Sequence, residues 1–465
     1  MEDLVIKNGL VVTPQGIVRG GLAVRNEKIL HIGDDDSLPE ASIKVDAEGN
    51  YVLPGLVDPH VHIGRVAEED FTSQFRTESI SAAISGVTTS IGFVRFGEIL
   101  ERRLPVYQKG KEIGKKNSFI DFKFHAYIFT EEQLEEMPQL IEEGITSAKV
   151  FLNYTEESAK KVGYRPVNFG FLYKIMEVMA SYGPPALVQA HCEQPDIMTL
   201  LSNRLETQGR NDFLAWAESR PAICETIDAF SVGLIGLETG CPVYIVHVSA
   251  KETVDVIRYL RRRGAKIYAE TCPHYLTLTK NAPMGVLARV APSLRDEADV
   301  EHLWQAVADG TFDTIGSDHV PLLKQQKIED GVWKSVPGFG GIGATLPLMM
   351  TEGVNKERIT IERLVKLTSE NPARIWGIYP QKGALSPGSN ADVIIVDPNR
   401  EWVLSADNLK SRSDYSVYEG RTVKGKAIKT FVRGKLVAED GALVVETPTG
   451  EYVKPLQQLQ RLTQL

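Results

Sequence analysis

The sequence predicts an α/β protein in which a (β/α)8 barrel is joined to a small β domain built from both termini. Between about residues 54 and 380, short apolar runs alternate with amphipathic stretches, which is typical of parallel βα units. At both ends of the chain the pattern changes to short strands separated by turns. We place the β domain at 1–53 and 381–445, the barrel at 54–380, and a C-terminal tail that docks or frays at 446–465.

The two terminal segments have the same strand-and-turn pattern. Near the N-terminus, apolar runs of three to six residues are interrupted by Asn and Gly, and the same composition returns after the barrel. One β domain assembled from both ends of the chain accounts for this repetition. The predicted strands are 4–9, 21–24, 28–33, 391–398 and 428–435.

The middle segment contains eight candidate strands, separated by stretches long enough for helices. Eight parallel strands with intervening helices predict a closed barrel, in which catalytic groups gather at the C-terminal ends of the strands. The candidates are 55–58, 88–93, 124–128, 147–151, 186–190, 243–246, 266–270 and 314–317.

Composition excludes several classes of protein. A net charge of −9 and a pI near 5.6 argue against a nucleic-acid partner. No apolar run reaches the roughly 18 residues of a membrane span, and the first residues lack a basic segment before an apolar one, so we expect a cytoplasmic protein without a membrane partner. The four cysteines are scattered without a Cys-x-x-Cys pair, which argues against a disulfide framework or a thiolate zinc site.

His60 and His62 are the most informative pair of residues. Side chains two apart on a strand point to the same face, so this segment brings two imidazoles to one point, as a divalent metal requires. A lone His-x-His pair is a weak signal, because surface and core histidines also produce it. Four further polar residues strengthen it, since each ends an apolar run of its own. Together the six predict a binuclear metal site in a hydrolase: His60, His62, Lys149, His191, His247 and Asp318.

Lys149 lies inside an apolar strand, where its ammonium form is expensive because a barrel strand is buried on both sides. A neutral amine there can add carbon dioxide and become a carbamate. The resulting carboxylate could bridge two cations about 3.5–4 Å apart. His191 and His247 end two further strands and would supply two nitrogens to the second ion.

Asp318 and Tyr154 are the candidate catalytic residues. An Asp at a βα junction is most often a helix N-cap, but Val320 and Pro321 follow Asp318 and no clean helix begins there. We therefore predict a metal-binding carboxylate that also handles a proton. Tyr154 follows the Lys149 strand on a loop above the barrel mouth, where its phenol could donate to a developing oxyanion. An ordinary packing tyrosine is the alternative.

These residues carry a resemblance to the amidohydrolase superfamily, and within it to the cyclic amidohydrolases: dihydropyrimidinase or hydantoinase, allantoinase and dihydroorotase. The resemblance implies a β-sandwich beside the barrel, two zinc-like divalent ions, N6-carboxylysine at Lys149 and a homo-oligomer, either a tetramer or a dimer. It covers nearly the whole chain, through His191 and the segments 55–62, 246–249, 270–273, 316–319, 369–374 and 382–392.

Within that branch the sequence favours hydantoinases and dihydropyrimidinases. Dihydroorotases have His-x-His-x-Arg, but here Gly64 holds the arginine position and Arg65 comes one residue late. The spacing from Lys149 to Tyr154 is similar to that of dihydropyrimidinases, whose tyrosine polarises the scissile carbonyl. The resemblance places the substrate contacts at Tyr154, Ala291, Gly338 and Phe339. Ala291 and the Gly338–Phe339 pair depart from the family pattern, which leaves the ring substituent open.

The implied reaction is the opening of a cyclic amide or ureide by a hydroxide held between the two ions, with oxyanion stabilisation from Tyr154 and proton transfer through Asp318. The alternatives are an allantoinase or another cyclic-imide hydrolase, then a dihydroorotase, and last a non-catalytic scaffold, which should have lost the ligands. Arg65, Arg76 and Arg95 lie where an acidic substituent could be recognised, although surface solvation explains most arginines.

Overall fold

The computed structural model describes residues 2–64, 68–328, 331–457 and 459. Arg65, together with residues 458 and 460–465 of the predicted tail, lies outside these described residues. The division of the chain at residues 53, 380 and 445 stays a prediction.

The described strands form two sheets, one mixed and one parallel. In chain order they are β1 (Glu2–Thr13), β2 (Gly16–Arg25), β3 (Lys28–Gly33), β4 (Ala41–Asp46), β5 (Tyr51–Pro54), β6 (Leu56–Ile63), β7 (Val87–Val94), β8 (Asp121–Tyr127), β9 (Ser147–Phe151), β10 (Leu187–His191), β11 (Val243–Ile245), β12 (Ile267–Thr271), β13 (Thr314–Ile315), β14 (Val393–Val403), β15 (Thr422–Val432), β16 (Lys435–Glu439) and β17 (Ala442–Leu443).

Helices separate the strands of the parallel sheet and cover its outer face. The described α-helices are Glu68–Ile84, Leu104–Asn117, Glu131–Glu135, Met137–Glu142, Glu156–Lys161, Phe169–Ala180, Pro195–Thr207, Phe213–Glu218, Ala222–Thr239, Lys251–Arg262, Pro273–Thr277, Glu297–Asp309, Gln325–Ile328, Gly331–Lys334, Thr345–Met349, Ile361–Val365, Asn371–Ile375 and Ala406–Leu409. Among these described helices, none is both long and apolar enough to cross a bilayer.

The mixed sheet joins the two ends of the chain, as the strand patterns predict. Its order is β17-β16-β15-β14-β5-β1-β2-β3, with β4 pairing with β1. The junction is antiparallel pairing of β14 with β5, in which Val393 lies opposite Pro54. Alternate residues of these strands form a separate apolar core: Leu4, Ile6, Val11, Leu22, Val24, Ile29, Ala47, Val52, Leu385, Ala391, Val393, Ile395 and Phe431.

The parallel sheet contains the eight predicted barrel strands, β6 to β13, each paired with the next. The barrel closes where Val61 of β6 pairs with His319, just after β13. There the His62 amide donates to the His319 carbonyl at 2.8 Å, and the His319 amide donates to the His60 carbonyl at 3.3 Å. Closure therefore brings the two ends of the predicted site, which are 258 residues apart in the chain, to one edge of the barrel.

The opposite end of the barrel, at the N-termini of its strands, is tied to the mixed sheet by buried charges. Lys382 contacts Asp121 at the start of β8 and lies 2.6 Å from Asp392, which precedes β14. Arg433 also contacts Asp121. The chain after β17 docks at the same end, because the Phe122 amide donates to the Glu451 carbonyl at 2.9 Å.

Candidate metal centre

The structure brings all six predicted metal ligands to one cavity at the mouth of the barrel. They lie at or just beyond the C-terminal ends of five strands. Five of the six side chains are buried, and His62 is partly buried. The strands contribute them as follows: His60 and His62 from β6, Lys149 from β9, His191 from β10, His247 after β11 and Asp318 after β13.

Three of these residues already converge closely enough to hold one ion. The Nε2 atoms of His60 and His62 are 3.2 Å apart. Asp318 Oδ1 lies 3.4 Å from His60 Nε2 and 3.3 Å from His62 Nε2. Two imidazole nitrogens and a carboxylate oxygen facing one point form a donor set suited to a divalent transition metal.

Lys149 is fully buried, and within the described residues its Nζ has no hydrogen-bond partner. The amine lies 5.5 Å from the centroid of the Phe93 ring and 5.3 Å from that of Phe151. Burial is the largest cause of a shift that lowers the pKa of Lys149 to about 8. A buried amine without a partner is costly unless something else binds it.

His191 and His247 form the other side of the cavity. Their ring centroids are 4.5 Å apart, and the His247 ring stacks on His60 at 5.4 Å. The Nδ1 atom of His247 is buried without a partner in the described part of the chain. His191 Nε2 lies 3.0 Å from Glu193 Oε2, so a carboxylate contacts this ring.

Two of the predicted ligands have strained backbones. His247 has φ 41° and Asp318 has φ 47°, both in the left-handed region that non-glycine residues rarely adopt. Such conformations cost about 1–3 kcal/mol each and persist where the surroundings enforce them. At His247 the amide donates to Glu270 Oε1 at 3.0 Å. Both side chains line the cavity.

Glu270 orients His60, a role that inspection of the sequence missed. Its Oε1 lies 2.7 Å from His60 Nδ1, and the Tyr244 hydroxyl donates to its Oε2 at 2.8 Å. Burial raises the pKa of Glu270 to about 8. A Cβ at Gly316 would lie 2.3 Å from Glu270 Oε2, so only glycine leaves room for this carboxylate. The sequence carried one indication of this role. Glu270 lies at the end of β12, just as the predicted metal ligands lie at the ends of their own strands.

Tyr127, at the end of β8, was also missed. Its hydroxyl lies 3.1 Å from His62 Nδ1. Phe93 packs on the same imidazole, with ring centroids 4.8 Å apart. Partners on the outer nitrogen of a ligand histidine fix its ring orientation and tautomer, so Glu270 and Tyr127 hold the His60 and His62 rings toward Asp318.

His319, next to Asp318, uses both ring nitrogens for the structure of the loop. Nδ1 accepts hydrogen bonds from the amides of Gly341 and Ile342 at 3.0 and 3.2 Å. Nε2 faces Glu78 Oε2 at 2.9 Å. Burial opposes the charge of Glu78, but the contacts with His319, Ser411 and the Arg412 amide together outweigh it and lower the pKa of this carboxyl. His319 therefore anchors the loop that carries Asp318.

Three of the four predicted substrate contacts line the cavity: Tyr154, Ala291 and Gly338. The side chain of Phe339 does not; it is buried, with its ring 5.1 Å from that of His274. Gly338 has φ +100°, and a Cβ there would lie 2.6 Å from Val320 Cγ2, so the loop requires glycine. Tyr154 packs against Tyr164, with ring centroids 5.3 Å apart.

A buried lysine fixes the loops on this side of the cavity. Lys327 Nζ donates to the carbonyls of Arg289, Val336 and Gly338 at 2.7 to 2.8 Å. These carbonyls belong to the two segments that place Ala291 and Gly338 at the cavity wall. Lys327 was not identified from the sequence, because the helix Gln325–Ile328 that carries it is too short to show a periodic pattern.

Comparison with known proteins gives the following matches. Residues 51–437 match the model of the family described as Amidohydrolase family. The chain is 32% identical to an L-hydantoinase of Paenarthrobacter aurescens, over 97% of this chain and 98% of that protein. It is 34% identical to a D-hydantoinase of Geobacillus stearothermophilus, covering 97% and 96%. The solved L-hydantoinase (dihydropyrimidinase) from Arthrobacter aurescens superimposes with a TM-score of 0.90 at 31% identity, covering 98% and 100%.

Proposed function

The chain belongs to the amidohydrolase family, and on this premise we propose that it opens hydantoin-type or dihydropyrimidine-type rings with Asp318 and Tyr154 as catalytic residues. The family and the similar hydantoinases make it a metal-dependent hydrolase of cyclic amides. The observation that carries the proposal is the meeting of six side chains from five strands in one cavity.

We propose that the cavity holds two zinc ions, bound by His60, His62, Lys149, His191, His247 and Asp318. The donor atoms fit such ions, because two imidazoles and a carboxylate already converge and a buried amine lacks a partner within the described residues. Carbamylation of Lys149 to N6-carboxylysine would convert that amine into a bridging carboxylate. When bound, divalent ions lower the pKa of bound water and so supply a nucleophile at neutral pH.

Asp318 is the proposed proton carrier. Its carboxylate lines the cavity, with Oδ1 3.4 Å from His60 Nε2 and 3.3 Å from His62 Nε2. It accepts a proton from the attacking water as the new C–O bond forms, and it returns the proton to the ring nitrogen as the C–N bond breaks. No proton is gained or lost by the residue over the full cycle.

Tyr154 is the proposed oxyanion donor. It follows β9 and lines the same cavity as Lys149. A phenol aimed at the carbonyl oxygen stabilises the charge that develops there during attack. Ala291 would hold the ring through backbone groups, because its side chain is not polar. Gly338 would contact the ring as part of the cavity wall, since its amide donates to the Arg289 carbonyl at 3.0 Å and its carbonyl accepts from Lys327.

A substrate panel tests this function. Purified protein is incubated with hydantoin, dihydrouracil, allantoin and dihydroorotate, with and without a chelator, and its metal content is measured. We expect opening of hydantoin or dihydrouracil that the chelator abolishes and zinc restores. Turnover of allantoin alone would identify an allantoinase, and turnover of dihydroorotate alone a dihydroorotase. A metal-free protein that opens none of the rings would be the scaffold.

Replacing Asp318 with Asn tests the proton-transfer role. The amide keeps an oxygen for the metal but cannot accept the proton, so kcat should fall by about 10²–10⁴-fold. Metal content, measured by mass spectrometry of the desalted protein, should stay close to that of the wild type. Full turnover in this variant would refute the assignment.

We also propose that the protein is a cytoplasmic homo-oligomer, a tetramer or a dimer. One face of the helix Ala222–Thr239 supports an interface, because it presents a row of exposed apolar side chains: Ile223, Ile227, Phe230 and Leu234, each 37% to 48% exposed. Light scattering after size exclusion measures the mass. A monomer at micromolar concentration would contradict this part of the proposal.

A further inference from the structure

We propose that Arg95 makes this enzyme prefer cyclic ureides that carry a carboxylate on a ring substituent. The inference rests on the proposed function and names its substrate class. It concerns a cation in the cavity wall that the ring-opening chemistry does not use.

Arg95 belongs to the wall of the reaction cavity. It is the first residue after β7, the strand next to the one that carries His60 and His62. Its guanidinium lies 5.1 Å from the centroid of the Tyr164 ring, and Tyr164 contacts Tyr154. Arg95 and the proposed oxyanion donor Tyr154 therefore contact the same aromatic ring in one cavity wall.

The charge of Arg95 lacks a counter-ion in the described part of the chain, where its one identified contact is with the Tyr164 ring. Among the described residues that line the cavity, Asp318 is the only carboxylate, and it is assigned to the metal. Most other arginines near the barrel mouth contact carboxylates or carbonyls, as Arg103 does at Val94 and Phe96.

A carboxylate is the ligand that best fits this arrangement. A guanidinium binds a carboxylate through two parallel hydrogen bonds, and the interaction strengthens where water is partly excluded. The chain carries a net charge of −9, so a generally basic surface does not explain why a cation lies in the cavity wall. Burial opposes the charge of Arg95, but Tyr164, Tyr127 and Tyr154 outweigh it and raise its pKa, so it remains charged at neutral pH.

Two hydantoins of nearly equal shape test the inference. Hydantoin-5-acetate opens to N-carbamoyl-aspartate, whereas the neutral 5-(carbamoylmethyl)hydantoin opens to N-carbamoyl-asparagine. We expect wild-type kcat/KM to favour the carboxylate by about tenfold or more, as one desolvated charge pair provides. The preference should lie mainly in KM, because the substituent is remote from the bond that breaks.

Arg95→Gln should bring the ratio of the two kcat/KM values close to one. Arg76→Gln is the matched control, because Arg76 also lies over an aromatic ring, Phe119 at 4.9 Å, but outside the cavity, so its ratio should stay that of the wild type. Arg95→Glu should reverse the preference toward the cationic 5-(3-aminopropyl)hydantoin. Calorimetry with N-carbamoyl-aspartate and N-carbamoyl-asparagine measures the same discrimination without turnover.

The outcomes separate this inference from the function on which it rests. If hydantoin is opened but the wild type shows no preference for the carboxylate, the inference is wrong and the function stands. The inference is equally wrong if Arg95→Gln lowers both rates by the same factor, because Arg95 then only supports Tyr164. If no ring is opened by the metal-loaded enzyme, both proposals fail together.

Discussion

Two buried lysines at opposite ends of the barrel have opposite environments. Lys382, at the end joined to the mixed sheet, contacts two carboxylates, Asp121 and Asp392. Lys149, at the mouth, is equally inaccessible to solvent, yet its Nζ has no hydrogen-bond partner within the described residues. The same side chain is therefore fully neutralised in one place and left without a partner in the other.

The electrostatic consequences also run in opposite directions. Burial opposes the charge of Lys382, but Asp121 and Asp392 outweigh it and raise its pKa. Burial dominates at Lys149 and lowers its pKa to about 8. A paired buried charge holds structural elements together, whereas an unpaired one weakens the fold unless a ligand or modification completes it. The comparison indicates that the barrel mouth is incomplete in the polypeptide alone.

Among the substitutions that test the contrast between Lys149 and Lys382, Lys149→Met should have the largest effect. Removing the proposed bridging group should lower kcat/KM by about 10³-fold or more, together with the bound metal. Thermal stability of the metal-free protein should be unchanged or higher, since an unpartnered buried amine is lost. Steady-state kinetics, metal analysis and calorimetric melting measure these three effects.

The matched control is Lys123→Met. Lys123 is also fully buried on a barrel strand, but its Nζ bonds to the Gly144 carbonyl at the other end of the barrel. Metal content should stay at the wild-type level in Lys123→Met.

Partial recovery of Lys149→Ala activity by added acetate or propionate would support a carboxylate at position 149. Wild-type activity in Lys149→Met would refute the role of the lysine.

Lys382→Met should produce the opposite pattern, in which stability falls and the chemistry survives. Asp121 would keep Arg433 as its partner, but Asp392 would lose its cation, and breaking a buried pair costs about 3–5 kcal/mol. Chemical denaturation measures the loss, and kcat of the folded fraction should not change. Lys44→Met, which removes an exposed pair with Glu40, should change stability far less, because solvent screens that pair. If Lys382→Met and Lys44→Met lowered the free energy of unfolding equally, the buried pairing of Lys382 would have no special structural role.

Glu270→Gln should have the smallest effect of these substitutions, because it changes a residue that orients His60 and removes no predicted metal ligand. The amide retains the shape of the side chain but holds His60 Nδ1 less strongly, so metal affinity should fall by about 10–100-fold. Competition with a fluorescent chelator measures the affinity. Glu225→Gln is the control, since that buried carboxylate bonds to the amides of Ser249 and Ala250 and to no histidine ring. Unchanged affinity in Glu270→Gln would show that His60 needs no such support.

The sequence predicted the arrangement of strands better than their ends. The apolar run of the first barrel strand was placed at 55–58, with His60 and His62 closing the strand, and β6 runs from Leu56 to Ile63, where His62 pairs with Phe93 of β7. His60 and His62 therefore lie within a strand, held more rigidly than a loop would hold them. The alternation of side chains was correct, and it is the reason that both rings face the cavity.

The supporting residues of the site could not be predicted in the same way. Glu270 reaches His60 across 210 positions of sequence, and Tyr127 reaches His62 across 65. A carboxylate and a phenol at strand ends are compatible with many partners, so their positions along the chain do not single out these two. Phe339 differs, since its side chain packs against His274, so a substrate contact at this position would have to use its backbone groups.

By itself, the sequence determined the barrel, the shared terminal sheet and the candidate ligands, because strand periodicity and the placement of polar residues after apolar runs are local properties of the chain. Only the tertiary structure decided which buried lysine is paired, since Lys382 meets Asp121 across 261 residues. It likewise decided the left-handed backbones of His247 and Asp318, which depend on how the barrel closes. Contacts between distant strands are fixed by packing of the whole fold, and no local pattern encodes them.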